Sequence, residues 1–470
     1  MLDTDALASR LRGHLYRPHD DGYGRVRKWF IGRFTERLPV AVAHCADARD
    51  VATAVEAAVE AGVPFAMRAG AHSFAEYSMS EGLVIDVGDL TSVETGPDTV
   101  TVGAGVRVGP LAEHLAPRGR VVPVGWCPMV GVAGASMGGG FGPLGRYFGL
   151  ACDHLVGADV VLADGRRVRA APDGDADLLW ALRGAGAGNF GAVTSLTFRT
   201  RPTPHAYSVA AWWDPDDAAT VIDGWQRWSP STPRHVNMEL VLRCWPDLDD
   251  PPTLASFGFI VDTDEAGARE HLDALADTIG IPPQRLQCLR VDAAELPVHH
   301  TYAGEMVEHL PPGNRPLDAE PGIRFVKSEF FEDSVSRDAL AELAEWLLRD
   351  RVAGQQRELE FVAWGGAIGD PAPDATAFPH RTARFLLEHS VQAYGSDTLK
   401  KESHEWVTRS KDITAPFGNG HVYPNYPDPD LSDWETAYYG PNLPRLRHLK
   451  AAYDPDGVFH FDQSIRPAHG

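Results

Sequence analysis

Hydrophobic positions along the chain fall into two regimes that meet near Pro202-Thr203-Pro204. Before that point, short apolar runs alternate with helical spacings. Residues 39–45, 64–67, 82–87 and 99–102 read as strands separated by Gly-containing turns. Between the first two, Val51, Val55, Ala58 and Val59 recur on one helix face, with Asp47 or Asp50 as cap and Gly62 as stop. A helix is predicted over 109–115. Residues 121–149 are glycine-rich with little periodicity of either kind, and a loop that long inside a compact domain is more often functional than not. Residues 155–163 and 167–170 flank Asp164-Gly165, a hairpin signal. A short helix over 175–183 and a strand over 192–199 follow.

Beyond Pro204 the strands lengthen. They are predicted over 207–213, 236–245, 254–262, 323–331, 358–367 and 383–392, with helices over 218–229, 264–278, 337–348 and 400–409. Strands outnumber helices, which predicts an antiparallel sheet covered by helices on one face and an α+β fold class. Within 358–364, alternation puts Leu359, Phe361 and Ala363 on the buried face and Glu358, Glu360 and Val362 on the other. Those two glutamates read by default as solvated.

Composition narrows the class. The 470 residues hold 43 Lys+Arg against 65 Asp+Glu, a net charge of −22, which argues against nucleic acid or an anionic membrane as partner. An apolar fraction of 44% is that of a globular protein. No run approaches roughly eighteen apolar residues, so no transmembrane segment is expected. Residues 1–16 read as an amphipathic helix rather than a signal peptide, and the expected location is cytoplasmic, as a monomer or homodimer. The predominance of Arg over Lys fits the coding bias of a high-GC bacterium. Cys45, Cys127, Cys152, Cys244 and Cys288 are odd in number and scattered, and neither CxxC nor HExxH occurs, so neither a disulfide framework nor a metal site is expected.

Candidate chemistry sits in glycine loops. Gly103-Ala104-Gly105, Gly140-x-Gly142-x-x-Gly145 and Gly186-x-Gly188-x-x-Gly191 imitate a dinucleotide fingerprint. The second follows no strand and the third precedes a strand rather than a helix, which rejects a Rossmann nicotinamide site. The loops Arg68-Ala69-Gly70-Ala71-His72-Ser73 and 131–140 fit two sides of a diphosphate cradle, or simply two tight structural turns. Each region carries one nucleophile, His72 and Cys127. Taken alone, these read as a turn histidine and a small buried thiol.

In chain order, Arg68-x-Gly-x-His72-Ser, Gly82-Leu-Val-Ile-Asp86, Val102-Gly-Ala-Gly105, Gly125-x-Cys127-x-x-Val130-Gly-x-x-Gly134, Gly138-Gly-Gly140-x-Gly142 and Arg146-Tyr-Phe-Gly-Leu150-x-x-Asp153 match a known pattern. Asp177-Leu-x-Trp180-x-x-Arg-Gly184, Tyr423-x-Asn425-Tyr426-x-Asp428 and Lys450-x-x-Tyr453-Asp-Pro455 continue it. Together they resemble the berberine-bridge-enzyme-like oxidases of the vanillyl-alcohol-oxidase superfamily over most of 39–200 and 420–466. The middle third matches loosely.

The resemblance implies a PCMH-type FAD-binding domain of two subdomains over 1–202, a substrate domain over 203–417, and a berberine-bridge-like segment over 418–470 that returns to the flavin. It implies FAD attached covalently to His72 at the 8α-methyl and to Cys127 at C6. Further cofactor contacts are implied from Arg68, Gly70, Ala71, Ser73, Val132, Gly134, Ser136, Gly139, Gly142, Val193 and Asn425. Val130 resembles the residue of oxygen-reactive members, so dioxygen is the implied acceptor and hydrogen peroxide the product. Tyr426 is the implied general base, beside Tyr423. A free tyrosine's pKa near 10 would then have to be depressed. Glu360 and Trp364 are implied at the pocket. Phe141 falls where relatives carry an aromatic facing the flavin, without the hydroxyl many of them have. The implied reaction is oxidation of a hydroxyl on a small-molecule substrate: a sugar, glycosylated metabolite or polyketide. Glu360 keeps oxidative C–N or C–C cyclisation of an alkaloid-like metabolite open, and a non-catalytic flavin-binding protein is the third reading.

Overall fold

The computed structural model describes residues 2–27, 38–125, 127–292, 296 and 322–468. Its first part holds two small sheets. In one, Ala41–His44, Leu83–Asp86 and Phe65–Arg68 run parallel, with His14–Tyr16 added antiparallel at the edge. The other is antiparallel, in the order Val93–Thr95, Thr99–Gly103, Ala192–Arg199, Leu155–Val161, Arg167–Ala170. The Ala48–Ala61 helix has Asp47 as its N-cap and ends at Gly62 in left-handed geometry. Val59, expected on its apolar face, is exposed instead. The Asp164-Gly165 hairpin forms as expected, with Gly165 at φ +78°.

Two expectations need correction. The opening segment is a helix only over Thr4–Arg10, after which His14–Tyr16 is a strand. The stretch 121–149 is not all loop, since Val132–Met137 and Gly145–Phe148 are helical. Their glycines and brevity hide the period from sequence.

Residues beyond Ala206 build one seven-stranded antiparallel sheet. Its order is Arg285–Val291, Ala206–Trp213, Thr253–Val261, Val236–Cys244, Gln355–Ala363, Phe385–Ala393, Ile323–Phe331. The edge strand Arg285–Val291 was not expected, because both faces alternate weakly and its Leu286 and Leu289 are exposed. Helices Ala218–Trp228, Glu265–Ile279, Arg337–Leu348 and Asp397–Thr414 cover one face only. Their Trp225, Leu272, Leu343 and Val407 pack with Leu359, Phe361 and Ala363 of the sheet, as alternation predicts. Each such aromatic or leucine side chain contributes about 1.5–3 kcal/mol by leaving water.

The two parts are locked together. Arg146, on the Gly145–Phe148 helix, is buried and donates to the carbonyls of Val236 (2.9 Å), Thr232 (2.6 Å) and Trp364. Asp153 receives both arms of Arg381, at 2.9 and 2.7 Å. Among the described residues no helix is long and apolar enough to cross a membrane, and no cluster of three or more metal-ligating side chains occurs.

Candidate active site

Two loops of the first part touch backbone to backbone. A β-carbon at Gly70 would lie 2.3 Å from the Gly131 nitrogen, so only glycine permits the approach. The next residue, Ala71, holds φ +57°, a conformation L side chains seldom adopt and one that clusters at functional sites. On its other side, the loop carrying Cys127 is zipped to residues 106–109. Val108 N–H donates to the Val130 carbonyl, Gly109 N–H to Pro128 and Val132 N–H to Val106.

His72 and Cys127 converge on one residue, Met129. The His72 ring is met by the Met129 backbone, and the Met129 and Val130 amides lie near enough to the Cys127 sulfur to favour its thiolate, with Val130 N–H bonded to the Cys127 carbonyl at 3.1 Å. Burial, reinforced by the charge of Arg107, pushes the His72 pKa down to about 3, against the effect of the Met129 backbone. Burial raises the Cys127 thiol above its ordinary value. The Met129 and Val130 amides and the charges of Arg324 and Arg107 pull the other way. Both side chains therefore rest neutral, the histidine as imidazole and the cysteine as thiol.

The remaining expected cofactor residues divide by what they touch. A β-carbon at Gly134 would meet nothing within 4 Å, and Ser136, fully buried, leaves its Oγ without a hydrogen-bond partner. Open space and an orphaned hydroxyl beside two apposed glycine turns fit a bound polar cofactor such as a dinucleotide. Ser73 Oγ accepts from Tyr77 N–H at 3.1 Å. Arg68 is buried and committed elsewhere, to Asp86 (2.7 Å) and the Val26 carbonyl (2.6 Å). It braces the loop and has no arm directed at a ligand. Val132 N–H is spent on Val106, Gly142 abuts the Val124 carbonyl, and Val193 is buried opposite Val160.

The Tyr423-x-Asn425-Tyr426 segment docks on the glycine run. Tyr423 OH accepts from Gly140 N–H and from Asn425 Nδ2, both at 2.9 Å, and Asn425 Nδ2 also donates to the Ala135 carbonyl at 2.8 Å. Burial pushes the Tyr423 pKa up to about 12, so this residue is a strut. Gly139, at φ +123°, leaves little room for a β-carbon against Phe378 and Tyr423. Phe141 stacks into the same aromatic cluster, 5.2 Å from Tyr423 and 6.1 Å from Tyr426 between ring centres. Trp364 forms the back of that cluster. It is fully buried and donates to the His380 carbonyl at 2.8 Å, so the expected contact with substrate has no exposed surface to make it.

The uncovered sheet face carries the acids. Register places Glu360 directly opposite Glu388, with Val241 on its other side, and Glu358 opposite Arg243 and Ser390. The expectation of solvated glutamates is wrong for Glu358. It is buried and ion-paired to Arg243 and to Arg324 (3.3 Å). Arg324 also holds Glu388 at 2.8 Å and Ser390 Oγ at 3.0 Å, and lies 5.5 Å over the Phe74 ring, next to the His72 loop.

Glu360 is half-buried. Desolvation and the neighbouring Glu388 and Glu358 carboxylates push its pKa up to about 8, against the charge of Arg243. Tyr426 meets Phe74 edge-on at 5.7 Å and has the Glu388 and Glu360 carboxylates as neighbours of its hydroxyl. Its pKa is raised, not depressed as expected, because burial and the Glu388 and Glu360 carboxylates all oppose the tyrosinate. Glu388, Arg324, Glu239 and Arg243 were not foreseen. The only local signal was an isolated charge set among apolar residues in each of these strands.

Family models match twice: an FAD binding domain over residues 39–171 and a berberine and berberine-like segment over 422–466. The chain is 29% identical to an uncharacterized FAD-linked oxidoreductase of Bacillus subtilis, covering 98% of each. It is 30% identical to a xylooligosaccharide oxidase of Thermothelomyces thermophilus, covering 93% of this chain and 89% of that one. With a chitooligosaccharide oxidase of Gibberella zeae it shares 29% identity, over 91% and 87%. A solved chitooligosaccharide oxidase structure has the same fold, with TM-score 0.84 at 24% identity over 99% of both chains.

Proposed function

The chain belongs to the berberine-type FAD-linked oxidoreductases, and from that premise we propose that it is an oxidase acting on a sugar or glycoside hydroxyl, with dioxygen as acceptor. The observation that carries this reading is the placement of the Tyr426 hydroxyl beside the Glu388 and Glu360 carboxylates, on the uncovered sheet face and with its ring against Phe74 of the loop that bears His72. Relatives named for oxidising xylo- and chitooligosaccharides support the substrate class.

Bound FAD supplies the two-electron acceptor for hydride from the substrate carbon. His72 and Cys127 are its proposed covalent anchors, with Ser136 and the backbone of 70–73 and 134–139 on its polar part. Because burial holds Tyr426 protonated at rest, it does not wait as a tyrosinate. It takes the substrate hydroxyl proton as its own passes to the neighbouring Glu388 carboxylate, so the pair forms a relay. Arg324, on Glu388, keeps that acceptor in place. Phe141 and Phe74 wall the aromatic side of the site, and Val130, beside Cys127, leaves dioxygen its approach. Glu360, neutral up to about pH 8, is poorly suited as a resting base, which weighs against the oxidative-cyclisation reading.

Peroxide release, followed over a panel of xylo-, cello- and chitooligosaccharides and simple glycosides, tests the proposal. Turnover of at least one class is expected, with Val130→Leu slowing reoxidation by air more than reduction by sugar. Release with none of them, but with an aromatic amine, would transfer the site to C–N chemistry.

A further inference from the structure

Resting on the proposed covalent attachment, we propose that Arg107 readies both anchors for bonding to the flavin. Its guanidinium stands beside Met129, the residue that His72 and Cys127 both touch. Arg107 Nη1 lies 3.8 Å from the Met129 sulfur. The Arg107 backbone pairs with Gly131 in an isolated bridge, and Val108, Gly109 and Val106 bond the 128–132 stretch on either side. The position of this cation relative to the anchor loop is thus fixed by main-chain bonds. Its charge acts on both nucleophiles at once.

The two effects have opposite chemical content and the same outcome. A cation beside imidazole opposes protonation, which preserves the lone pair that attacks. A cation beside a thiol favours the thiolate, which is the attacking form. Each attachment forms one bond, N–C at the 8α carbon or S–C at C6. It breaks one flavin C–H bond and one N–H or S–H bond, and releases two protons. The two electrons left on the ring pass to dioxygen, which takes up both protons as hydrogen peroxide.

Burial works against Cys127 and for a neutral His72. The thiol therefore depends on its cations more than the histidine does. Its charged neighbours are Arg107 and Arg324, and Arg107 is the one that also acts on His72. Arg107 alone reaches both among the groups named here.

The test loads apoprotein with FAD in air and follows each linkage separately, by mass of the denatured chain and by peptide mapping. In wild type both linkages form. With Arg107→Met we expect the Cys127 linkage to slow about tenfold or more and to need higher pH. The His72 linkage should slow chiefly at the acid end, while noncovalent FAD binding and the far-ultraviolet dichroism are unchanged. Arg107→Lys should restore most of both rates. Arg324→Met should slow the Cys127 linkage and leave His72 alone. Wild-type rates and pH dependence in Arg107→Met would overturn the assignment, as would equal failure of the Lys variant. A wild-type chain that releases all its FAD on denaturation would instead overturn the covalent attachment itself.

Discussion

Glu360 shows how far a residue's neighbours outweigh its type. On sequence it is an exposed-face glutamate. In the sheet it sits directly opposite Glu388 on the adjacent strand and lies near Glu358, and its carboxyl holds its proton to about pH 8. The sign of the stability effect follows. As pH rises through the ordinary carboxylate range, the unfolded chain loses this proton and the folded chain keeps it, so stability falls until about pH 8 and then levels off. Glu360→Gln removes that penalty. Its melting temperature relative to wild type should climb steadily from the ordinary carboxylate range to about pH 8. A difference that does not change with pH would contradict the assigned charge state. Tyr426 carries the same lesson. The motif that marks it was legible in the sequence, but its raised pKa was not, because Glu388 is thirty-eight positions away and meets it only through folding.

Among the elements, the long strands were legible because one face must match the covering helices. Leu359, Phe361 and Ala363 could be assigned to that face from alternation alone. Sheet order was not legible. Gln355–Ala363 lies between Val236–Cys244 and Phe385–Ala393, and this crossover is what brings Glu360, Glu388 and Arg243 onto one patch. The segment after Tyr426 is tied to the sheet by a further contact that periodicity cannot show. Lys327, on the Ile323–Phe331 strand, donates to both Asp428 oxygens (2.8 and 3.0 Å) and to Asp430 (2.7 Å). Lys327 and Asp428 are both buried. Lys327→Met leaves Asp428 buried and uncompensated and should cost about 3–5 kcal/mol in denaturant unfolding. Adding Asp428→Asn should recover part of that loss. Additive losses would mean that the pair does not tie the two segments.

Over the whole molecule, motifs recognisable in the sequence turn out to serve two purposes. Some line the candidate site. Others join its halves: Arg146 clamps the carbonyls of the second part, and Asp153 holds Arg381. Lys450 reaches the Asn189 carbonyl at 2.6 Å, and Asn442 the carbonyls of Pro373 and Thr376 at 2.8 and 3.1 Å. A sequence pattern records that such residues are required without distinguishing chemistry from assembly. Trp364 is buried, its indole packing behind Phe141.

The most direct test of the account is anaerobic mixing of the flavin-loaded enzyme with an oligosaccharide it turns over, followed by loss of the yellow flavin absorbance, in wild type and in Tyr426→Phe. The Tyr426–Glu388 relay predicts that the variant keeps its flavin and binds sugar but is reduced about 10²–10⁴-fold more slowly. Reduction of Tyr426→Phe at the wild-type rate would contradict it and place the proton acceptor elsewhere on the sheet.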